Sequence, residues 1–310
     1  MFKNKKISVV IPAHNEEQTI KSVLTALPPF IDHIFVIDDA STDNTFKMAD
    51  EIKKPNLTVM RSASNLGVGG ATTLGYKKAR EAGDDVVVKI DGDGQMDTAF
   101  LGDLLEAVVE RGYDYAKGNR FIAGGLKAMP KHRLIANVLM TFFTKLASGY
   151  WNIFDPQNGY TAVRGTVLQR LDLDRLHKGF FFENDMLVSL NLLRCRVADV
   201  PIPAVYGIEI SDVRPFQILF TFPLLFFQRW LKRIFHNYVL LDFSPIALFL
   251  FFGFLLLTGG VGFGLATWIK SYRAGVLTPT GTIALVMLPI ILGFQLLLQA
   301  IALDMNNTPK

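Results

Sequence analysis

The sequence predicts an α/β fold, a mostly parallel sheet with helices on both faces, followed by carboxy-terminal interfacial helices and a two-helix transmembrane hairpin. Three observations predict it. Unbroken apolar, β-rich runs alternate with segments of helical period from Ile7 to Lys117. Three of those runs end in acidic or polar clusters. The end of the chain carries two apolar stretches, each longer than the ~20 residues that cross a hydrocarbon core.

The elements follow in order. Ile7 to Ile11 is a strand closed by Pro12, and from Glu16 to Leu27 apolar residues recur at helical spacing until Pro28-Pro29 stops them. His33 to Ile37 is a second strand running into Asp38-Asp39, after which Ser41 or Thr42 caps a helix reaching Ile52. Leu57 to Met60 gives a third strand, Gly70 to Ala82 a helix and Val86 to Ile90 a fourth strand. Leu101 to Glu110 is another helix, followed by a short strand near Tyr113 to Lys117. Strands without polar alternation are buried on both faces, hence parallel with helical crossovers. Ligands of such sheets sit at the carboxyl ends of the strands. Pro12 to Glu16, Asp38-Asp39 and Asp91-Gly92-Asp93 should therefore converge on one crevice. Beyond Gly118 the pattern is irregular. Arg120, Lys131 and Arg133 flank a loop, a helix runs from Leu134 to Leu146, and Asp155 to Gly159 reads as a turn. Phe180 to Glu183 enters a helix that includes Asp185, and Val197 to Ile202 is a last strand.

From Phe243 to Ile269 the only polar side chains are Ser244, Thr258 and Thr267, and from Thr282 to Leu303 they are Thr282, Gln295 and Gln299. These are two spans of a multi-pass membrane protein. Pro215 to Leu241, where aromatics and leucines alternate with Gln228, Arg229, Lys232, Arg233 and His236, suits the headgroup plane. The expected organisation is an α/β domain over residues 1–212, interfacial helices over 213–242, a hairpin over 243–303 and a tail over 304–310. Arg229, Lys232 and Arg233 before the first span outnumber Lys270 and Arg273 in the hairpin loop, which places the large domain in the cytosol. Ile7 to Pro12 is too short for a signal-peptide core. The single cysteine, Cys195, excludes an intramolecular disulfide and fits a reducing compartment. A net charge of +4 and a pI near 9.0 do not indicate nucleic acid, because the basic residues are scattered rather than clustered beside aromatics. Anionic lipid or a phosphorylated substrate accounts for them better.

Asp91-Gly92-Asp93-Gly94-Gln95 follows the apolar run Val86 to Ile90. Two carboxylates two residues apart at a strand end, with glycines keeping the backbone open, are what a hard divalent cation needs to hold a diphosphate. Such cations spend one or two protein carboxylates and take the rest of their ligands from phosphate and water.

The ordered segments Ile11 to Glu17, Val36 to Asp43, Asn65-Leu66-Gly67, Asp91 to Gln95 and Gly118 to Phe121 resemble those of family 2 glycosyltransferases of the GT-A, Rossmann-like fold. More narrowly they look like the dolichyl-phosphate mannose synthase type, the polyprenyl-phosphate glycosyltransferases, over about residues 7–205. The resemblance implies that Pro12, His14 and Glu16 wall the nucleotide, with Asp39 and Asp38 accepting from base or ribose. His14 stands where a tyrosine is commoner. Asp93 and Gln95 would bind Mg²⁺ or Mn²⁺, Asp91 would hold the ribose or a metal-bound water and is a further candidate ligand, and Arg120 and Arg133 would meet the phosphates. Where the family has Ser followed by Lys in a loop after the last strand, this chain has Ser211 followed by Asp212, and the nearest cation is Arg214. Ser211 and Arg214 are thus the candidates for the acceptor side or its lid.

The implied reaction is an inverting transfer of a hexose from a nucleotide sugar of the GDP-mannose or UDP-glucose class to membrane dolichyl or undecaprenyl phosphate. The cation and Arg120 offset charge developing on the leaving phosphate. A lipid phosphate is already anionic and needs no strong base, whereas a lipid hydroxyl would need Asp155, Glu183 or Asp185 as one. Asp155 matches an acceptor-side position of the family. Transfer to a lipid hydroxyl is the first rival reading. A nicotinamide-dependent oxidoreductase is the remote one, on Gly67-Val68-Gly69-Gly70 followed by Asp91. The expected partners are nucleotide sugar, polyprenyl phosphate and membrane but not nucleic acid, and a homo-oligomer is left open.

Overall fold

The computed structural model describes residues 1–121, 131–203 and 215–309, without the side chains of 131–136 and 215–220. It divides into two compact units, Met1–Trp230 and Leu231–Thr308. The first is built on a seven-stranded sheet. Its strands are β1 (Ile7–Ala13), β2 (His33–Asp38), β3 (Leu57–Arg61), β4 (Val86–Lys89), β5 (Tyr115–Asn119), β6 (Thr161–Arg164) and β7 (Val197–Pro201). The spatial order is β3-β2-β1-β4-β6-β5-β7. Every neighbouring pair is parallel except the two made by β6, which runs antiparallel between β4 and β5.

The helices preceding β7 are α1 (Ile20–Ala26), α2 (Thr45–Asp50), α3 (Val68–Ala82), α4 (Leu101–Val109), α5 (Lys131–Ser148), α6 (Gly165–Arg170) and α7 (Phe182–Leu192). Period-two alternation sends Ile7, Val9 and Ile11 of β1 into a core with α1, α2 and α4, while Val10 joins Ala71, Tyr76 and Ala79 of α3 and Met186 of α7 on the other face. Both faces are thus covered, which is why the parallel strands read as unbroken apolar runs.

Two expectations are corrected here. The sequence reading has no strand between Gly159 and the helix entered at Phe180, yet Thr161–Arg164 is β6. Four residues are too few to display a period, and the sheet on either side supplies the pairing. The helix after β2 begins at Thr45, so neither Ser41 nor Thr42 caps it. Ser41 Oγ instead accepts from Asn15 N–H at 2.9 Å, while Asp43 Oδ1 accepts from Thr45 N–H, also at 2.9 Å.

Helix α8 (Pro215–Phe235) leads into a π turn at His236–Leu240. Two long helices follow, α9 (Pro245–Ala274) and α10 (Thr280–Asn306). Only 17% and 6% of their most apolar stretches are buried, so they are not core helices of a soluble domain but a candidate membrane hairpin. They pack through small residues: a Cβ on Gly253 would meet Leu297 at 2.9 Å, and one on Gly293 would meet the Gly253 carbonyl at 2.8 Å. Arg233 is fully buried in this unit, donating to Asp304 Oδ1 and Oδ2 at 2.7 and 3.0 Å, and Tyr238 Oη donates to Asp304 Oδ1 at 2.5 Å. Arg229, in the other unit, is bonded to Asp185. Two of the three cations read from sequence as headgroup-facing are therefore consumed inside the protein.

Candidate active site

Strands β1, β2, β4, β5 and β7 all present their carboxyl ends at one rim, and antiparallel β6 begins there. This geometry gathers residues far apart in sequence. Asp91, Asp93, Gln95, Arg120 and Asn158 line one cleft at the rim. Three non-glycine residues with positive φ occur at the same edge: Asn15 (58°), Ala40 (53°) and Asp155 (49°). Asp155 is followed by Pro156, a context that disfavours such a backbone further, so the surrounding contacts must hold it.

The nucleotide-side candidates form a connected group. His14 is exposed, and its Nδ1 lies 2.7 Å from the Asp39 carbonyl oxygen, which assigns the ring proton to Nδ1 and leaves Nε2 facing the Asn65 amide at 3.4 Å. Asp39 is buried and its Oδ1 accepts from Leu66 N–H at 2.7 Å and Ser62 Oγ at 3.0 Å. Asp38 is also fully buried, and neither carboxylate oxygen has a hydrogen-bond donor among the described residues. Arg61 Nε lies 3.2 Å from Asp38 Oδ2, a charge contact without hydrogen-bond alignment. An orphaned buried carboxylate at a ligand rim is an acceptor looking for a donor. Pro12 is buried beneath this group, and Glu16 sits partly exposed beside Gly92.

The acidic motif turns sharply. Asp93 Oδ1 accepts from Gln95 N–H at 2.9 Å, and Gly94 adopts φ +73°. Oxygen donors from Asp91, Asp93 and Gln95 suit a hard divalent cation that completes its coordination with diphosphate and water. No cluster of three or more His, Cys, Asp or Glu side chains able to hold a metal alone occurs among the described residues.

The sequence reading missed the buried cations behind this rim. Lys89, the last residue of β4, is 1% exposed and donates to Asp91 Oδ1 at 2.6 Å and Glu183 Oε1 at 3.2 Å. Burial disfavours its charge, but Asp91 and Glu183 outweigh that and hold the ammonium above the ordinary lysine value. Lys117 of β5 is fully buried and donates to the Asp155 carbonyl. Burial pulls Lys117 below the ordinary value despite Asp155 and Asp199 nearby. A lysine interrupting the apolar run Val86 to Ile90 is the signal that could have found Lys89, since a fully buried lysine needs a partner.

Arg120 and Asp155 form a bidentate pair: Nε and Nη2 donate to Oδ2 and Oδ1 at 2.7 Å each, and Arg120 N–H reaches Oδ2 at 3.2 Å. Burial raises the Asp155 carboxyl, yet Arg120's hydrogen bonds and charge, with the charge of Lys117, outweigh it and hold the group below the usual carboxylate range. Asp185 is likewise forked by Arg229 at 2.6 and 2.9 Å and accepts from His177 N–H at 2.8 Å. Asp199 accepts through one oxygen from Asn119 Nδ2 at 2.6 Å and Phe154 N–H at 2.7 Å, and burial pushes its carboxyl up to about 6. The Arg133 side chain, Ser211 and Arg214 lie outside the described residues.

The glycines behind the oxidoreductase reading are packing residues. A Cβ on Gly69 would lie 2.3 Å from the His177 carbonyl oxygen, and Gly70 N–H donates to the Lys178 carbonyl at 2.9 Å. The start of α3 is thus covered by chain rather than open to a pyrophosphate.

The sheet order, the acidic turn at the end of β4 and the arginine opposite it define a glycosyltransferase of the GT-A fold. The chain belongs to glycosyl transferase family 2, whose model matches residues 8–172. It is similar to the UDP-N-acetylglucosamine–dolichyl-phosphate N-acetylglucosaminyltransferase of Methanococcus voltae, 29% identical over 245 residues that cover 74% of this chain and 97% of that one. It is also similar to the undecaprenyl-phosphate mannosyltransferase of Micrococcus luteus, 32% identical over 203 residues, 64% of this chain and 82% of the relative. Among solved structures, glucosyl-3-phosphoglycerate synthase from Mycobacterium tuberculosis in complex with Mn²⁺, UDP and glucosyl-3-phosphoglycerate shares the fold, with a TM-score of 0.53 and 22% identity over 74% of this chain and 80% of that one.

Proposed function

We propose that this chain catalyses inverting transfer of a hexose from a nucleotide sugar, of the GDP-mannose or UDP-glucose class, to dolichyl or undecaprenyl phosphate. The transfer depends on Mg²⁺ or Mn²⁺ and occurs at the cytosolic face of a membrane that α9 and α10 cross. The names of its relatives support the acceptor class, since both act on polyprenyl phosphates. One observation in this chain carries the choice of a phosphate acceptor over a hydroxyl. Each carboxylate considered as a base is already engaged by a cation: Asp155 by Arg120, Glu183 by Lys89 and Asp185 by Arg229. An alcohol needs a carboxylate able to take a proton near neutral pH. A phosphate brings its own anionic oxygen.

In this reading the acceptor oxygen bonds to the anomeric carbon while the bond from that carbon to the donor diphosphate breaks, the electron pair leaving with the nucleoside diphosphate. Asp38 and Asp39 accept from base or ribose, and Pro12, His14 and Glu16 wall the nucleotide. Asp93 and Gln95 would hold the divalent ion, which when bound offsets charge on the diphosphate. Arg120 donates to the same developing charge, from a position fixed by Asp155, as electrostatic stabilisation requires.

Membranes carrying the chain are incubated with radiolabelled GDP-mannose, UDP-glucose and UDP-N-acetylglucosamine, and lipid is extracted. Label should enter a lipid that releases its sugar in mild acid, as a glycosyl phosphate does. Asp93→Ala and chelation by EDTA should each abolish it. Full turnover in EDTA rejects the metal role, and acid-stable label on a lipid hydroxyl rejects the acceptor.

A further inference from the structure

The acidic motif contains two carboxylates, but the protein treats them differently. Asp91 is gripped from behind. Lys89 Nζ lies 2.6 Å from its Oδ1, and the Gly159 backbone packs so closely that a Cβ there would sit 2.5 Å from both Asp91 Oδ2 and Lys89 Nζ. The same ammonium bonds Glu183 of α7 at 3.2 Å, so the grip is tied to a helix beneath the sheet as well as to the strand. Asp93 instead lies in the turn, where its Oδ1 accepts from Gln95 N–H at 2.9 Å and brings that residue's side chain to the same cleft.

We infer that Lys89 is a positioning residue that withholds Asp91 from the divalent cation. The inference rests on the metal-dependent reading above. A cation buried behind one carboxylate does two things to an arriving divalent ion. It occupies an oxygen lone pair that the ion would otherwise take, and it adds like-charge repulsion across a low-dielectric gap. Both effects weaken the bare ion's binding. The ion is then held firmly only together with the donor's diphosphate, which ties metal occupancy to substrate occupancy. Gly159 belongs to the device because any side chain there would force the ammonium and carboxylate apart.

The test is Mn²⁺ binding to the full-length, nucleotide-free protein in detergent, read from the electron paramagnetic resonance signal of free Mn²⁺. Replacing a residue that supports metal ligands typically costs ~10-fold or more in affinity, which sets the size of effect, while removal of a competing ammonium reverses its sign. Lys89→Met should therefore bind Mn²⁺ about 10-fold more tightly than the unmodified protein while its turnover falls. Lys89→Arg should keep both near the starting values. Gly159→Ala keeps every charge and only parts the pair, and should tighten Mn²⁺ in the same sense. If Lys89→Met perturbs folding, the Lys89→Met, Glu183→Gln protein removes the partner left unpaired and carries the same expectation. Mn²⁺ affinity that is unchanged or weaker in Lys89→Met and Gly159→Ala overturns the inference, because a merely structural role would loosen the ion. Asp93→Ala separates the two levels. If it leaves Mn²⁺ binding intact, the metal reading itself fails; if it abolishes binding while Lys89→Met changes nothing, only the role of Lys89 falls.

Discussion

Replacing Asp155 by Asn separates holding an arginine from accepting a proton. Asn keeps the shape of the side chain and is among the residues that tolerate the left-handed backbone found there, φ +49°, so the loop need not move. What changes is the fork to Arg120. An amide offers one oxygen to two donors that stand 2.7 Å from the two carboxylate oxygens, and turns its NH₂ toward the second. A hydrogen bond to a charged group contributes about 1.5–3 kcal/mol. The Arg120 side chain is 33% exposed and can turn to water, so a stability loss near the lower end, about 1.5 kcal/mol, is expected. With Arg120 no longer aimed, turnover should fall about 10- to 100-fold, equivalent to about 1.4–2.7 kcal/mol of transition-state stabilisation. The pH profile is the discriminating readout. Because Asp155 is held below the usual carboxylate range, its pairing supports the fold above the ordinary carboxyl value near 4 and is lost only as pH falls through the lower folded value. Initial rates of lipid labelling from about pH 5.5 to about 8.5 should then show the same shape in both proteins. A limb of the profile present in the parent and absent from Asp155→Asn, or an unchanged turnover, would refute the argument.

Two further outcomes are expected. Asp199, raised to about 6 by burial, is costly in its charged form, and this penalty exists above the folded value and disappears as pH falls from about 6 toward the ordinary value near 4; Asp199→Asn should gain up to about 3 kcal/mol in chemical denaturation at neutral pH and lose that advantage at low pH. Arg233→Met leaves Asp304 buried without its cation and should cost about 3–5 kcal/mol in detergent unfolding, whereas Arg233→Met with Asp304→Leu should recover most of it.

How much was legible follows from where each signal is stored. β1, β2 and β4 were read closely because burial on both faces prints unbroken apolar runs, and their ends named the rim. β6 was not, because Thr161–Arg164 exists by virtue of strands donated from elsewhere in the chain. Asp91, Asp93, Gln95 and Arg120 were all named from sequence and line one cleft. The pairings that govern their chemistry were hidden. Arg120 and Asp155 are 35 residues apart and Asp185 and Arg229 are 44 apart, and nothing local records either contact. Lys89 carries a local signal, a cation between Val88 and Ile90 in an apolar run, whereas Lys117, in Tyr115-Ala116-Lys117-Gly118-Asn119, carries none.

The two buried lysines also bear on how the rim holds its acids. In the register of the sheet Lys89 and Lys117 flank Thr161 from opposite sides, one pairing with β6 from β4 and the other from β5. Each reaches the rim from below: Lys89 takes Asp91 and Glu183, and Lys117 takes the main chain of Asp155, whose side chain is then offered to Arg120. Asp91, Glu183, Asp155 and Asp185 are therefore already paired with cations from the protein side before any substrate arrives. Proton abstraction by Asp155, Glu183 or Asp185 would have to break one of these pairs, at the expense of an uncompensated buried charge. Chemistry that needs only anions to be held and a leaving phosphate to be stabilised can leave every pair intact, and it is that economy of charge which favours a phosphate over a hydroxyl as the acceptor.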